Sequence, residues 1–265
     1  MALILKKIFT NYHYTFEELA DKRVIELDLF LMSSPIKPVL LIAAYFYFIY
    51  NLGPRLMKDR KPFELKWVLR IFNLFQILSN TFIVARASHV IWNHMNWSCE
   101  KIDYSNNPHA VWLLKTYHLF FLTKAMDMLD TVFFVLRKRY HQVTFLHVYH
   151  HFGMLVLMWM TVKFFGGGYG TWVGLINGSV HAIMYVYYFL SSLDEKWKRS
   201  IWFKKLITQI QMVQFLTFSL IYGRLLFNDC EYPKLLSYFF VPQNFFMLLL
   251  FSNFYEKAYV EKKRG

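Results

Sequence analysis

Three histidines fall within five residues, His147-Val148-Tyr149-His150-His151, inside an apolar stretch from Val143 to Lys163. Imidazole exchanges protons near neutral pH, and its bare nitrogen is a nucleophile. Positions i, i+3 and i+4 of a helix share a face, so the three rings point the same way. Lipid solvates imidazole badly. At membrane depth such groups turn to a protein interior or a watery cavity, where they pair with one another or act on a ligand. A polar helix–helix contact is the bland alternative, but one contact does not need three histidines.

Three more apolar stretches carry spaced polar side chains. Lys124, Asp127 and Asp130 follow one another by three, with Thr131 beside them, and track one helix face; a Lys–Asp pair is the structural reading of the first two. Asn177, His181, Tyr185 and Tyr188 form a second line, with Tyr187 off it. Thr208, Gln211 and Gln214 form a third, with Gln209 on another face.

The elements that must position these groups are membrane spans. The chain has 265 residues, is 56% hydrophobic and 20% aromatic, and has a positive mean hydropathy. A soluble domain seldom has such a composition, and apolar runs near the roughly twenty residues that cross a bilayer recur along it. We expect an all-α polytopic membrane protein, residues 1–265 forming a single domain with no cleaved signal peptide. Its seven transmembrane helices cover about 35–53, 65–86, 111–136, 142–163, 170–191, 203–226 and 234–255. Residues 1–34 form an interfacial segment and 256–265 a cytosolic tail. Gly166-Gly167-Gly168-Tyr169-Gly170 is expected to be a tight turn; with no strand before it, it makes a poor phosphate loop.

The net charge of +13 first suggests charge that sets orientation and only second a nucleic-acid partner, which is not expected. Arg55, Lys58, Arg60 and Lys61, then Arg137, Lys138 and Arg139, then Lys196, Lys198, Arg199, Lys204 and Lys205, and finally Lys257, Lys262, Lys263 and Arg264 mark alternate loops and the tail. The loops between them hold mainly Lys101 and Lys234. The positive-inside rule puts the first set in the cytosol, so the N-terminus is lumenal and the C-terminus cytosolic. Asn96-Trp97-Ser98 is a glycosylation acceptor in a lumenal loop. Cys99 and Cys230, the only cysteines, are both lumenal, and the oxidising lumen makes them a disulfide candidate. Lys262 and Lys263 near the end resemble a dilysine retrieval signal, which points to the endoplasmic reticulum membrane.

Counted from the basic ends at about 1.5 Å per residue, Asp130, His150, Gln211 and Gln214 lie roughly 10–15 Å deep, with His181 and Lys124 nearer the midplane. This describes a greasy chamber with a reactive polar zone and a cytosolic mouth. Arg137, Arg139 and Lys204 at the mouth, with Gln142, suit a phosphorylated ligand. Lys138 and Lys205 read better as charges that set topology. An anionic head with a long apolar tail fits an acyl-CoA. The residues support acyl-thioester chemistry without naming the reaction.

The motifs themselves add a resemblance. His147-Val-Tyr-His150-His151 is similar to the HxxHH box of the very-long-chain fatty acid elongases. Lys124-Ala-Met-Asp127-Met-Leu-Asp130-Thr131 resembles that family's KxxExxDT. Asn177-Gly-Ser-Val-His181-Ala-Ile-Met184-Tyr185-Val-Tyr187-Tyr188 resembles its NxxxHxxMYxYY, and Thr208-Gln209-Ile-Gln211-Met-Val-Gln214 its TQxQxxQ. Ser33-Ser34-Pro35 and Asn253-Phe254-Tyr255 are further points of likeness. Asp127 stands where the family usually has Glu, one methylene shorter. The resemblance implies seven helices around an acyl-chain tunnel and the first step of chain elongation. In that step acyl-CoA and malonyl-CoA condense to a 3-oxoacyl-CoA two carbons longer, releasing CO2 and CoA. Reductases and a dehydratase complete the cycle, membrane lipid surrounds the protein, and homodimerisation is left open. No metal and no cofactor are expected.

With both cysteines lumenal, histidine is the remaining strong nucleophile. The expected scheme has His150 attacking the thioester, with His181 close by. His147 and His151 orient substrate or relay protons, and Asp130 fixes a histidine tautomer. Lys124, Gln211 and Asn177 stabilise the enolate or oxyanion; Asp127, Tyr187, Thr208 and Gln214 complete the substrate-binding set. Two other readings share part of the pattern. A membrane di-iron desaturase or hydroxylase also uses HxxHH but needs about eight histidines, whereas His13, His89, His94, His109, His118 and His141 are scattered. A seven-helix transporter would carry intramembrane charges too, usually with an internal repeat, and none is evident.

Overall fold

The computed structural model of the chain describes residues 10–261. The main helices in chain order are α1 (Lys22–Glu26), α2 (Ile36–Met57), α3 (Lys66–Asn93), α4 (Pro108–Asp127), α5 (Leu129–Leu136), α6 (Phe145–Phe165), α7 (Thr171–Leu193), α8 (Ile201–Phe227) and α9 (Lys234–Tyr255). The starts of α4, α6 and α8 are set by side chains that serve bare backbone N–H groups. Asn107 accepts from Ala110 N at 2.8 Å, with Pro108 in the first turn of α4. Thr144 accepts from His147 N at 3.3 Å ahead of α6, and Ser200 from Phe203 N at 3.5 Å ahead of α8.

Six segments among the described residues are long and apolar enough to cross a membrane: Ile36–Met57, Lys66–Asn93, Phe145–Phe165, Gly168–Leu193, Ile201–Phe227 and Lys234–Val260. The protein is a polytopic all-α membrane protein. The span expected at 111–136 falls on α4 and α5, where Lys115, Lys124, Asp127 and Asp130 interrupt the apolar run. The lysines of the tail motif, Lys262 and Lys263, lie outside the described residues.

The described residues divide into two compact units. The first holds the chain up to Phe63 together with Ile102–Gly167. Here α4 packs on α6, and α2 meets α5 and α6. The N-terminal stretch is tied to the end of α6 by two hydrogen bonds, Asp21 N to Lys163 O (2.9 Å) and Trp159 Nε1 to Leu31 O (2.9 Å), and the loop before α4 adds Tyr104 OH to Phe164 O (2.9 Å). A buried ion pair, Arg23 Nη2 to Asp21 Oδ2 at 2.6 Å, sits in the same corner, and Arg23 Nη1 donates to Ser105 O.

The second unit holds Glu64–Lys101 and the chain from Gly168 onward. Here α7 packs against α3 on one flank and α8 on another, and α9 lies along α8. Gly174 and Gly178, four apart on α7, let α3 come close; a Cβ on Gly178 would stand 3.0 Å from Val84 Cγ2. α3 is inside out relative to a helix in water. Val68, Ile71, Leu74, Phe75, Leu78 and Phe82 are exposed, while Asn73, Gln76 and Asn80 are buried. Lipid rewards that arrangement, since apolar side chains belong outward and amides inward. Cys99 and Cys230 are joined by a disulfide, Cα to Cα 5.6 Å. The glycine turn forms as expected: Gly168 has φ 60, where a side chain would strain the backbone, and Tyr169 N donates to Glu100 O at 3.0 Å.

Candidate functional site

Each unit gathers one set of the polar side chains. In the first unit the centre is Thr131, which is fully buried. Its Oγ1 lies 2.8 Å from Tyr45 OH and 2.9 Å from His147 Nε2. Two assignments use each hydrogen once: Tyr45 O–H donates to Thr131 and Thr131 O–H to His147 Nε2, or Nε2–H donates to Thr131 and Thr131 O–H to Tyr45. In both, the Thr131 hydroxyl holds the imidazole in place. His147 packs on Phe134 (5.2 Å between ring centroids) and on His151 (4.3 Å); His151 in turn meets His150 at 5.6 Å. The box is thus one cluster of rings, with His151 buried and His147 and His150 half-buried.

The charged motif lies beside it. A break in the hydrogen-bond ladder falls at Met128, between α4 and α5, whose backbone stays right-handed helical (φ −62, ψ −23), and Thr131 N bonds to Met128 O at 3.2 Å. Lys124 and Asp127, before the break, are buried and paired at 3.3 Å, and Lys124 Nζ stands 4.8 Å from the Phe120 ring. Asp130, after it, is half-buried. Lys124 and Asp127 form an ion pair about one helical turn before Asp130 and Thr131. A carboxylate at 127 reaches the lysine three residues back without needing the longer Glu arm.

Past α5, Arg137 and Arg139 are half-buried. Burial, with Arg139 beside it, lowers the Arg137 guanidinium from its ordinary value. Lys138, with φ 54, spends its ammonium on Lys58 O at 3.1 Å. Gln142 sits in a turn of 3-10 helix, Tyr140–Gln142, and its Oε1 is buried without a hydrogen-bond partner among the described residues. Arg137, Arg139 and Gln142 thus follow one another closely in the loop after α5, with Gln142 N donating to Arg139 O at 2.9 Å.

In the second unit Asn177 Nδ2 donates to Gln214 Oε1 at 3.2 Å, and Asn177 Oδ1 is buried with no partner among the described residues. Gln211 Nε2 reaches Met184 Sδ at 3.7 Å. Thr208 Oγ1 donates to Lys204 O of its own helix at 2.9 Å; Lys204 is half-buried. His181 is buried, its ring 6.1 Å from that of Tyr185. The four-residue line expected on α7 is split by its two neighbours. Asn177, Met184 and Tyr187 face α8, with Tyr187 stacked on Phe203 at 6.2 Å. Gly178 and Tyr185 face α3, where Phe72 packs on Tyr185 at 5.9 Å. Tyr187, off the line, is buried, whereas Tyr188, on it, is exposed.

Four groups escaped the sequence reading. Tyr45 gave no signal, being one tyrosine in an aromatic span. Asn73, Gln76 and Asn80 did: amides three and four apart in an apolar run obey the spacing that singled out Gln211 and Gln214. Lys163 is fully buried, and its Nζ has no hydrogen-bond partner among the described residues. Thr131 was read as part of a motif but not as the joint that holds His147. Among the described residues no three His, Cys, Asp or Glu side chains gather as a metal ion requires.

Fold and site together define a polytopic helical membrane protein with a buried histidine cluster and a second histidine-bearing helix. The model of the ELO (GNS1/SUR4) family matches residues 30–265. Very long chain fatty acid elongase 7 of Rattus norvegicus is 39% identical over 249 residues, covering 92% of this chain and 88% of its own. A very long chain fatty acid elongase of Aedes aegypti is 37% identical over 266 residues, covering 100% of this chain and 74% of its own. Elongase 4 of Homo sapiens is 36% identical over 254 residues, covering 96% and 80%. The chain belongs to the very long chain fatty acid elongase family.

Proposed function

We propose that this protein condenses a long-chain acyl-CoA with malonyl-CoA, the first step of very-long-chain fatty acid elongation. The observation that carries the reading is the His147–His150–His151 cluster in a chain matched to the elongase family over residues 30–265. His150 is the nucleophile. His147 Nε2 is engaged by Thr131, so that ring is held rather than available to attack. His150 nitrogen bonds to the thioester carbonyl carbon, the C–S bond breaks, and CoA leaves with a proton. Malonyl-CoA then loses CO2, and its enolate carbon attacks the acyl-imidazole. The C–N bond breaks, the departing imidazole of His150 regains from solvent the proton that left with CoA, and the 3-oxoacyl-CoA is released.

His181, Asn177 and Gln211 serve the same condensation by holding the enolate oxygen, supported by Gln214 and Thr208. Lys124 acts through its pair with Asp127, and Asp130 and His151 orient the box. Arg137, Arg139, Gln142 and Lys204 receive the CoA phosphates, and Tyr187 lines the acyl path. The setting is the endoplasmic reticulum membrane, with seven spans, a lumenal N-terminus and a cytosolic C-terminus. Reductases and a dehydratase complete the cycle.

The test uses purified protein in detergent with labelled malonyl-CoA and a panel of acyl-CoAs, reading product length. Wild type extends its substrate by two carbons, and His150→Ala does not. Mass spectrometry of intact protein given acyl-CoA alone finds the acyl adduct in wild type and not in the variant. Condensation at wild-type rate by His150→Ala would refute the scheme.

A further inference from the structure

The contacts between α3 and α7 fix their register. A Cβ on Gly174 would lie 3.6 Å from Ala87 Cβ, and one on Gly178 would lie 3.6 Å from Asn80 O. Phe72 packs on Tyr185 at 5.9 Å. Residue numbers fall on α3 as they rise on α7, so the helices are antiparallel. Gln76 is four residues from Asn80 toward Phe72, and His181 is three from Gly178 toward Tyr185. At 1.5 Å per residue the two are level within roughly 2 Å. Gln76 shares one stripe of α3 with Phe72, Asn80, Ile83 and Ala87, the residues whose contacts mark the seam. Gln76 is fully buried, and His181 is buried beside Tyr185 and Gly178.

The amide of Gln76 is itself oriented. Asn80 Nδ2 donates to Gln76 Oε1 at 3.3 Å and to Gln76 O at 2.8 Å. With its carbonyl turned to Asn80, the side chain has N–H to offer on its other end. We propose that Gln76 is a positioning residue for His181, its amide N–H holding one ring nitrogen so that the other, carrying the imidazole proton, addresses the substrate. This rests on the reading that His181 acts in the condensation. It gives His181 the part of a hydrogen-bond donor to the enolate oxygen, complementary to the nucleophile His150.

Gln76→Leu keeps the volume and removes the amide; Gln76→Glu replaces a donor by an acceptor that draws a proton onto His181. Condensation is followed for wild type, both variants and His181→Ala, with the Cys99–Cys230 bond and monodisperse elution as checks of folding. Gln76→Leu is expected to lose at least tenfold in kcat with KM for malonyl-CoA changed by less than about twofold. Gln76→Glu is expected to move one limb of the pH–rate profile upward by about a unit, which a merely structural role would not do. If Gln76→Glu does not fold, Asn80→Leu frees the Gln76 carbonyl and is expected to lose three- to tenfold in kcat. Wild-type kcat and profile in the Gln76 variants, or in Asn80→Leu as substitute, overturn the inference while His181→Ala stays inactive. An active His181→Ala would instead overturn the role of His181 on which the inference stands.

Discussion

Thr131→Val isolates the hydroxyl that joins Tyr45 to His147. The valine keeps the shape of the side chain, so the core stays filled, but two buried polar groups lose their partner. Tyr45 OH loses a bond of 2.8 Å and His147 Nε2 one of 2.9 Å. Leaving a buried donor or acceptor unmet costs about 1–3 kcal/mol, so the pair together cost about 2–6 kcal/mol. At 2–4 °C per kcal/mol for a chain of this size, the melting temperature falls by roughly 4–24 °C. Catalysis suffers separately, because the hydroxyl no longer holds the His147 ring in place. A loss of 1.4 kcal/mol of orientation is a factor of about ten, and kcat is expected to drop by at least that. Thr131→Ser restores the hydroxyl and should return kcat to within about threefold. The assays are labelled malonyl-CoA incorporation and thermal unfolding in one detergent at one scan rate, since such unfolding is commonly irreversible. If Thr131→Val matches wild type in both, or Thr131→Ser fails to rescue, the hydroxyl relay is wrong.

Three further outcomes follow from other parts of the fold. The Cys99–Cys230 bridge closes a separation of 131 residues; Cys230→Ser should cost about 2–4 kcal/mol, and dithiothreitol should lower the melting temperature of wild type but not of the variant. Lys163→Met replaces a fully buried ammonium that lacks a hydrogen-bond partner among the described residues with an apolar side chain of like length. It should raise the melting temperature by several degrees, since Glu17 and Asp21 attract the ammonium without a hydrogen bond and repay less than its burial costs. Asp103 is held below its ordinary value of 3.8 by hydrogen bonds from Ser105, its hydroxyl then its backbone N–H, and from Asn107. A depressed carboxylate stabilises above its unfolded value and loses that stability as pH falls through its folded value. The gap in melting temperature between wild type and Asp103→Asn should therefore be constant near neutrality and close only in acid; a gap that persists in acid would count against the assignment.

Much of the architecture was legible because hydropathy writes it directly. The expected 234–255 coincides with α9, and 142–163 and 170–191 miss α6 and α7 by a few residues. Thr144 decides the first of these differences, since its side chain caps the helix at a point where hydropathy is unchanged. α3 runs to Asn93 rather than stopping near 86 because Ala87, Val90 and Ile91 remain on the buried seam although Ser88 and His89 dilute the run. The interruption at Met128 has no proline or glycine to announce it, and the meeting of Thr131 with Tyr45 and His147 is long-range and carries no local signal. At the site the motif residues were legible by type and spacing. Which neighbour each one faces was not, because α7 serves two helices at once and a single line of residues cannot show where one seam ends and the next begins.

The amide stripe of α3 has a consequence for how the chain is made. Its lining partner, α7, leaves the ribosome about eighty residues later, which at 5–20 residues per second is roughly 4–16 s of synthesis. For that interval three amides sit on a helix that already belongs in the bilayer, with their own packing surface not yet born. We expect newly inserted α3 to be sheltered during the wait by the insertion machinery or a membrane chaperone, and crosslinking of arrested nascent chains ending before Thr171 would find it there, released once α7 has emerged.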